Sequence, residues 1–597
     1  GDEEAFYGNP LYNATLNTSL KDKYTEVTDN FEGEYDILQG FKAKVRIGFN
    51  RKFSRSDQFY PANHLKFNTE QELQKKGSYQ INEGESQTMN YDFSLNFSRQ
   101  VKELHYLFGF LSYSLDETTY EENIYKAEGF PSDRMNSIFF ARQYAEDTKP
   151  QGAESTTRNI GVNAVFNYSY DDRLLFDATF RTNASSQFGA NQRWGNFWSL
   201  GAGWNMHNEK WLRSKEWFSR LKLRASVGST GSQGNNAYQS LATYNYSEKN
   251  YENKLGAYLM GMENKDLKWQ KKMDYNVGMD MSVKNNFNLV FDYYQSTTEN
   301  LLVAFTLPPS TGFTTVQENV GKVRNTGIEL SMSYMVLSHP QDRTFLTLSL
   351  RAAHNKNRVV KISDSMKAYN EKMDEMAESD SKLVTKYYDG VSMNAIWAVR
   401  SLGIDPATGR EIYLTKDGVS TYEYRAEDMV VCGDNLPKLR GSFGINLGYK
   451  GFGLNVMCMY ELGAKMYNET LVDRVENVNM SYAVDKRVLE GRWQKPGDKV
   501  RFRSLKQVWD PEKQAYKVDE KTYATSRFVQ KKNELNISSI NFSYDFFRHA
   551  FVKKMGMERL SVAFYMNDVA KLSTIKTERG LSYPFARNYN FSLQMTF

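Results

Sequence analysis

No apolar run in this sequence approaches the roughly eighteen residues that a membrane-crossing helix needs, so a helical membrane protein is excluded. Two cysteines, Cys432 and Cys458, cannot build a disulfide framework. An excess of one charge is missing too. The 76 Lys and Arg face 71 Asp and Glu, and the net of +5 gives no reason to expect a nucleic acid partner. The opening residues Gly1-Asp2-Glu3-Glu4 are acidic, whereas a secretory signal has a basic start and an apolar core. The chain therefore reads as mature, trimmed or partial. The patterns H-E-x-x-H, C-x-x-C, P-loop and G-x-S-x-G are absent, and the six histidines are scattered. No catalytic residue, metal site or cofactor is expected, and the chain reads as a non-enzyme.

Aromatic residues are plentiful, at 14% with 39 Tyr and 37 Phe. Mean hydropathy is nevertheless polar, at -0.64. Both fit a β-barrel in a membrane, because only alternate strand residues face lipid. The final stretch shows the alternation most cleanly. Tyr589, Phe591, Leu593, Met595 and Phe597 share one face, and Asn588, Asn590, Ser592, Gln594 and Thr596 the other. A soluble sandwich would bury the apolar face, and a barrel would turn it to lipid. The same alternation recurs over residues 41–49, 89–97, 160–170 and 174–180 and in eight further runs. Weaker candidates bring the expected number to roughly sixteen to eighteen strands.

Short turns join several of these runs, at residues 171–173, 284–286 and 450–451. Between them lie long polar stretches, 50–88, 115–157, 228–267, 354–393 and 463–532, expected to be loops. Short turns at one end and long loops at the other are how outer-membrane barrels divide their two sides. The expected fold is all-β, a transmembrane antiparallel barrel. Helical spacing around residues 363–382 is expected to give a solvated helix within a loop. Nothing before Phe41 reads as a strand.

In the loops, Tyr244 and Tyr246, with Tyr251 and Tyr258, form one aromatic group, and Tyr387, Tyr388 and Trp397 a second. Such rings can stack on a substrate, which makes Tyr244, Tyr246, Tyr387, Tyr388 and Trp397 the candidate binding residues. Trp194 and Trp198 fit better as part of an interfacial girdle. On the polar strand faces, Asp177, Arg181 and Arg224 are expected to line the lumen or to meet a plug. Asp405, in the stretch 403–409, could suggest a calcium loop, but calcium needs six or more oxygens and a turn is expected instead. The glycines of residues 228–234 are expected to form a strand-to-loop turn, and Cys432 a loop position.

Eight stretches, in order, resemble the SusC/RagA-type TonB-dependent outer-membrane transporters of Bacteroidetes-like bacteria. They are residues 181–204 (RTNASSQFGANQRWGNFWSLGAGW), 221–244, 264–281, 319–330 (NVGKVRNTGIEL), 403–413, 433–456, 538–546 and 583–597. The sequence departs from the pattern at Ser232, where Asn is usual. The resemblance implies a barrel of about 22 strands in the intact protein. Residues 1–597 would be the C-terminal part of that domain, with the N-terminal plug and the first strands absent. It also implies import of oligosaccharides or peptides across the outer membrane, a SusD-like surface lipoprotein as lid, and the TonB complex as energy source. A surface receptor or adhesin, or a passive pore on the same barrel, is the alternative.

Overall fold

The computed structural model describes residues 10–597 apart from 146–147, 214, 216, 233–236, 247–255, 262, 307–314, 381–382, 478–484, 505–506, 511–514, 519–521, 547–548 and 577–585. Among the described residues, eighteen strands form one sheet. From Ser19–Leu38 to Tyr589–Thr596 each long strand pairs antiparallel with the next along the chain, and the two-residue Gln143–Tyr144 is added beside His105–Glu128. This up-and-down order is the wall of a barrel. Among the described residues, Ser19–Leu38 pairs only with Phe41–Tyr60, and Tyr589–Thr596 only with Arg559–Ser573. One edge of each remains open. No helix among the described residues is long and apolar enough to cross a membrane.

Left-handed backbone at Asp171, Asp172, Lys284, Asn285, Lys450 and Gly451 marks the tight turns. Their paired positive φ values match the twist of the flanking strands. The two faces follow from register. In Leu174–Ser185, the exposed Phe176 and Phe180 alternate with Asp177, Thr179 and Arg181. Phe180 stands opposite Trp198 on the neighbouring strand, and Arg181 opposite Phe197.

Five expectations are corrected. First, the region before Phe41 contains a 20-residue strand, Ser19–Leu38. Its Glu34 bonds Lys42 at 3.1 Å across the ladder, and only Phe31, Tyr35 and Ile37 keep a clear apolar face among its charges. Second, strands reach far into the stretches expected as loops. Phe41–Tyr60, Ser78–Val101, His105–Glu128 and Gln151–Tyr170 run 20–24 residues. Backbone pairing does not need an apolar face, so the ladder continues beyond lipid with charge pairs such as Arg51–Glu85 at 2.6 Å and Arg55–Glu83 at 2.9 Å. Third, the helix Asp364–Asp380 is not simply solvated, because Met366, Met373 and Ala377 are buried. Cys432 likewise lies on a strand, Met429–Asp434, and residues 228–232 continue the strand Phe218–Ser232 rather than turning. Tyr251 and residues 233–234 lie outside the described residues.

The described residues of two long connections, 362–438 and 468–528, fold together as a cap at the loop end of the wall. Helix Asp364–Asp380 and strand Ala395–Ile404 share a core with Tyr413, Ala426 and Met429. A second core joins Ile396 to Tyr467, Val475, Phe502 and Phe528. Tyr424 stacks on Tyr523 with centroids 4.1 Å apart, so the two excursions pack directly.

Candidate functional site

The polar face of the wall is a charged surface assembled by register. Asp292, Glu329, Ala353, Arg440, Glu461 and Glu534 are successive cross-strand neighbours. A groove of about 530 Å³ follows this row from Asp292 to Glu461. Arg224 stands beside the row, donating to Asp292 at 2.7 Å and Asp280 at 3.2 Å. It lies across Gly278, where a Cβ would stand 2.6 Å from its Cζ, so glycine is what lets the guanidinium reach both carboxylates. Lys532 holds Glu461 at 2.9 Å, and Lys571 holds Glu534 at 2.8 Å. Asp177 and Arg181 stand on the same face, with Arg181 Nε donating to Asn183 at 3.0 Å. A wall carrying both charge signs can hydrogen-bond polar solutes or a folded domain within it.

The apolar face has two tryptophan levels. Trp194, Trp198 and Trp204 share that face of one strand; Trp194 and Trp204, ten residues apart, mark the two levels, and Trp198 lies between them rather than at either. At about 3.3 Å per residue and a tilt of about 45° they span roughly 23 Å, close to the apolar band of about 25 Å in such barrels.

The candidate aromatics fall into two places. Tyr244 and Tyr246 lie on the small hairpin of Thr243–Tyr246 and Ala257–Gly261, 67% and 69% exposed. Tyr388 packs against Trp397 at 5.0 Å, and buried Lys386 lies 5.7 and 5.6 Å from the two rings. Lys386 also reaches Asp374 of the helix, at 2.5 Å. Trp397 is only 8% exposed, within the first cap core, and Tyr387 packs on Met366 and Tyr369. The structure thus brings Tyr387, Tyr388 and Trp397 into the cap's interior and its edge, and leaves Tyr244 and Tyr246 outward on the hairpin.

Sequence reasoning missed the cap's ionic centre. Arg527 donates to Glu411 at 2.8 Å and to Glu476 at 2.6 Å. Thr525 donates to Glu411 at 2.8 Å, and Arg503 stands 3.7 Å from Glu476. Arg492 is satisfied by the carbonyls of Val488, Arg503 and Val475. The two carboxylates hold the Arg527 proton against the cost of burial and push its pKa further up. Burial, and then the Glu411 charge, push the neighbouring Tyr467 phenol up as well. The partners are 116 and 51 residues from Arg527 in the chain, so no local spacing could show them. Asp405 is consumed in its own turn, accepting from Thr408, Ala407 and Tyr422, and these bonds hold its carboxyl below the usual range. No group of three or more potential metal ligands occurs among the described residues.

The recurring sequence motifs meet as packing. Phe188 and Phe197 of the stretch 181–204 and Trp269 of the stretch 264–281 form one buried cluster. A Cβ at Gly231 would collide with the Phe197 ring.

An antiparallel wall, apolar outside and charged within, with tight turns at one end and a packed cap at the other, is an outer-membrane β-barrel. The chain belongs to the family described as TonB dependent receptor-like, beta-barrel, whose model matches residues 2–477. This is a family of receptors and transporters of the outer membrane rather than of enzymes. TonB-dependent receptor P39 of Formosa agariphila is 24% identical over 94% of this chain and 56% of its own length. TonB-dependent receptor SusC of Bacteroides thetaiotaomicron is 28% identical over 47% of this chain and 29% of its own. Among solved structures, the RagAB peptide transporter superposes with a TM-score of 0.79 at 18% identity, over 94% of this chain and 59% of that one. The chain spans little more than half the length of the P39 receptor it matches.

Proposed function

We propose that this chain is most of the barrel of a SusC-like importer that takes up oligosaccharides or peptides with a SusD-like surface lipoprotein and TonB. The observation that carries this reading is the pairing of a charged inner wall with a cap folded from two long connections at the loop end. A wide polar lumen suits solutes too hydrophilic for lipid, and a structured outer layer offers a lid a place to rest. Exposed Tyr244 and Tyr246 are the proposed first contacts for substrate, with Tyr388 at the cap edge. Asp177, Arg181 and Arg224 are proposed to meet solute or a plug supplied by another segment. The open edges of Ser19–Leu38 and Tyr589–Thr596 support closure by further strands outside this chain.

Growth of a deletion strain on a panel of glycans and peptides tests the import reading, together with purification of the full-length protein in mild detergent. Loss of growth on one solute class and co-purification of a lipoprotein are expected. Full growth on every solute, with no companion lipoprotein, would favour a receptor or passive pore.

A further inference from the structure

We infer that the connection between strands Trp194–Asn205 and Phe218–Ser232 is a docking surface for anionic phospholipid headgroups on the turn side of the membrane. The inference rests on the outer-membrane placement of the barrel and on nothing about its cargo. The connection sits at the same end as the tight turns and is tied to two of them. Amides of Asn205 and Asn208 donate to the Asp172 carbonyl at 2.7 and 2.9 Å, and Arg173 pairs with Glu209 at 3.2 Å. The Lys284 N–H donates to the Trp217 carbonyl at 3.0 Å. Leu212, on the short helix Lys210–Arg213, is buried. These contacts hold the described residues of the connection as a shelf.

Its outer side combines two kinds of group. Trp211 and Trp217 are 57% and 66% exposed, just past Trp204 at the lower limit of the apolar band. Lys210, Arg213 and Lys215 are exposed beside them, and Lys284 Nζ lies 5.3 Å from the Trp217 ring. Glu209 is engaged by Arg173 and by Trp204 Nε1, the latter at 3.0 Å. Between residues 210 and 217 the sequence has three basic residues against one acid, Glu216. Indole rings settle at the headgroup level, while Lys and Arg stems lie along apolar surface and carry their charge to the phosphates. A zwitterionic headgroup cancels its own phosphate charge. An anionic one does not, and charge complementarity therefore selects the anionic lipid.

The test immobilises the full-length protein and equilibrates it with mixed micelles of phosphatidylglycerol and phosphatidylcholine bearing the same acyl chains. Bound lipid is then extracted and quantified. Phosphatidylglycerol should be retained in preference, and the preference should fall about fivefold for each charge removed in Lys210→Gln, Arg213→Gln and Lys215→Gln. Lys495→Gln, in the cap, should leave it unchanged. Raising salt to about 1 M should abolish the preference in the unmodified protein, because screening shortens to about 3 Å. That arm needs no variant and decides the matter should a variant misfold. Equal retention of both lipids, a preference kept by the triple variant, or one indifferent to salt overturns the proposal; a protein partner on the shelf would leave lipid retention unselective.

Discussion

Arg527 sits where the two cap excursions meet, sharing its guanidinium between Glu411 and the fully buried Glu476. Removing one member of a buried ion pair leaves an uncompensated charge, which costs about 3–5 kcal/mol. Arg527→Ala should therefore loosen the cap while the wall keeps its heat-modifiable migration on gels. Limited proteolysis checks this: residues 468–528 should be cut much faster in the variant, and an unchanged cutting rate would refute the pinning role. The same scale shows what spacing cannot reveal. Trp397 was legible as a loop aromatic near Tyr387 and Tyr388, but whether its ring faces solvent depended on the helix that packs over it. Arg224 was legible as inward-facing; its two carboxylate partners, and the missing side chain at Gly278 that admits it, were set by pairing three strands.

At the scale of the element, alternation is the strong signal, and its physical source is the two solvents. Phe176 and Phe180 lie on the lipid side, with Thr179 on the other. Phe180→Arg, opposite Trp198 and near the midplane, should cost about 2–4 kcal/mol, and Thr179→Arg should be much milder. Urea titration of the gel-shifted form in detergent measures both; equal losses would contradict the assignment of faces. Where lipid stops, the signal stops as well. The upper reaches of Ser78–Val101 and His105–Glu128 carry Glu83, Glu85, Glu117 and Glu121, which read as loop, yet the backbone ladder runs on. Ser19–Leu38 was hidden for the same reason, because charged cross-strand partners such as Lys42 and Lys44 stand in for apolar ones.

For the whole molecule, the open edges set a firm expectation. Each unpaired backbone group in lipid costs several kcal/mol. Residues 1–597 expressed alone should yield no compact, detergent-resistant band, and joined to strands that pair with Ser19–Leu38 and Tyr589–Thr596 they should yield one. A compact band from residues 1–597 alone would contradict the open sheet. From sequence alone, the class of fold, the order of strands and turns and the family resemblance could be read, because lipid on one side and water on the other impose a period of two on each strand, and tight turns impose local backbone chemistry. The cap, its Arg527 centre and the charged row from Asp292 to Glu534 were decided only in three dimensions. Their residues are brought together by strand register and by packing between loops tens to more than a hundred positions apart, and neither leaves a periodic trace along the chain.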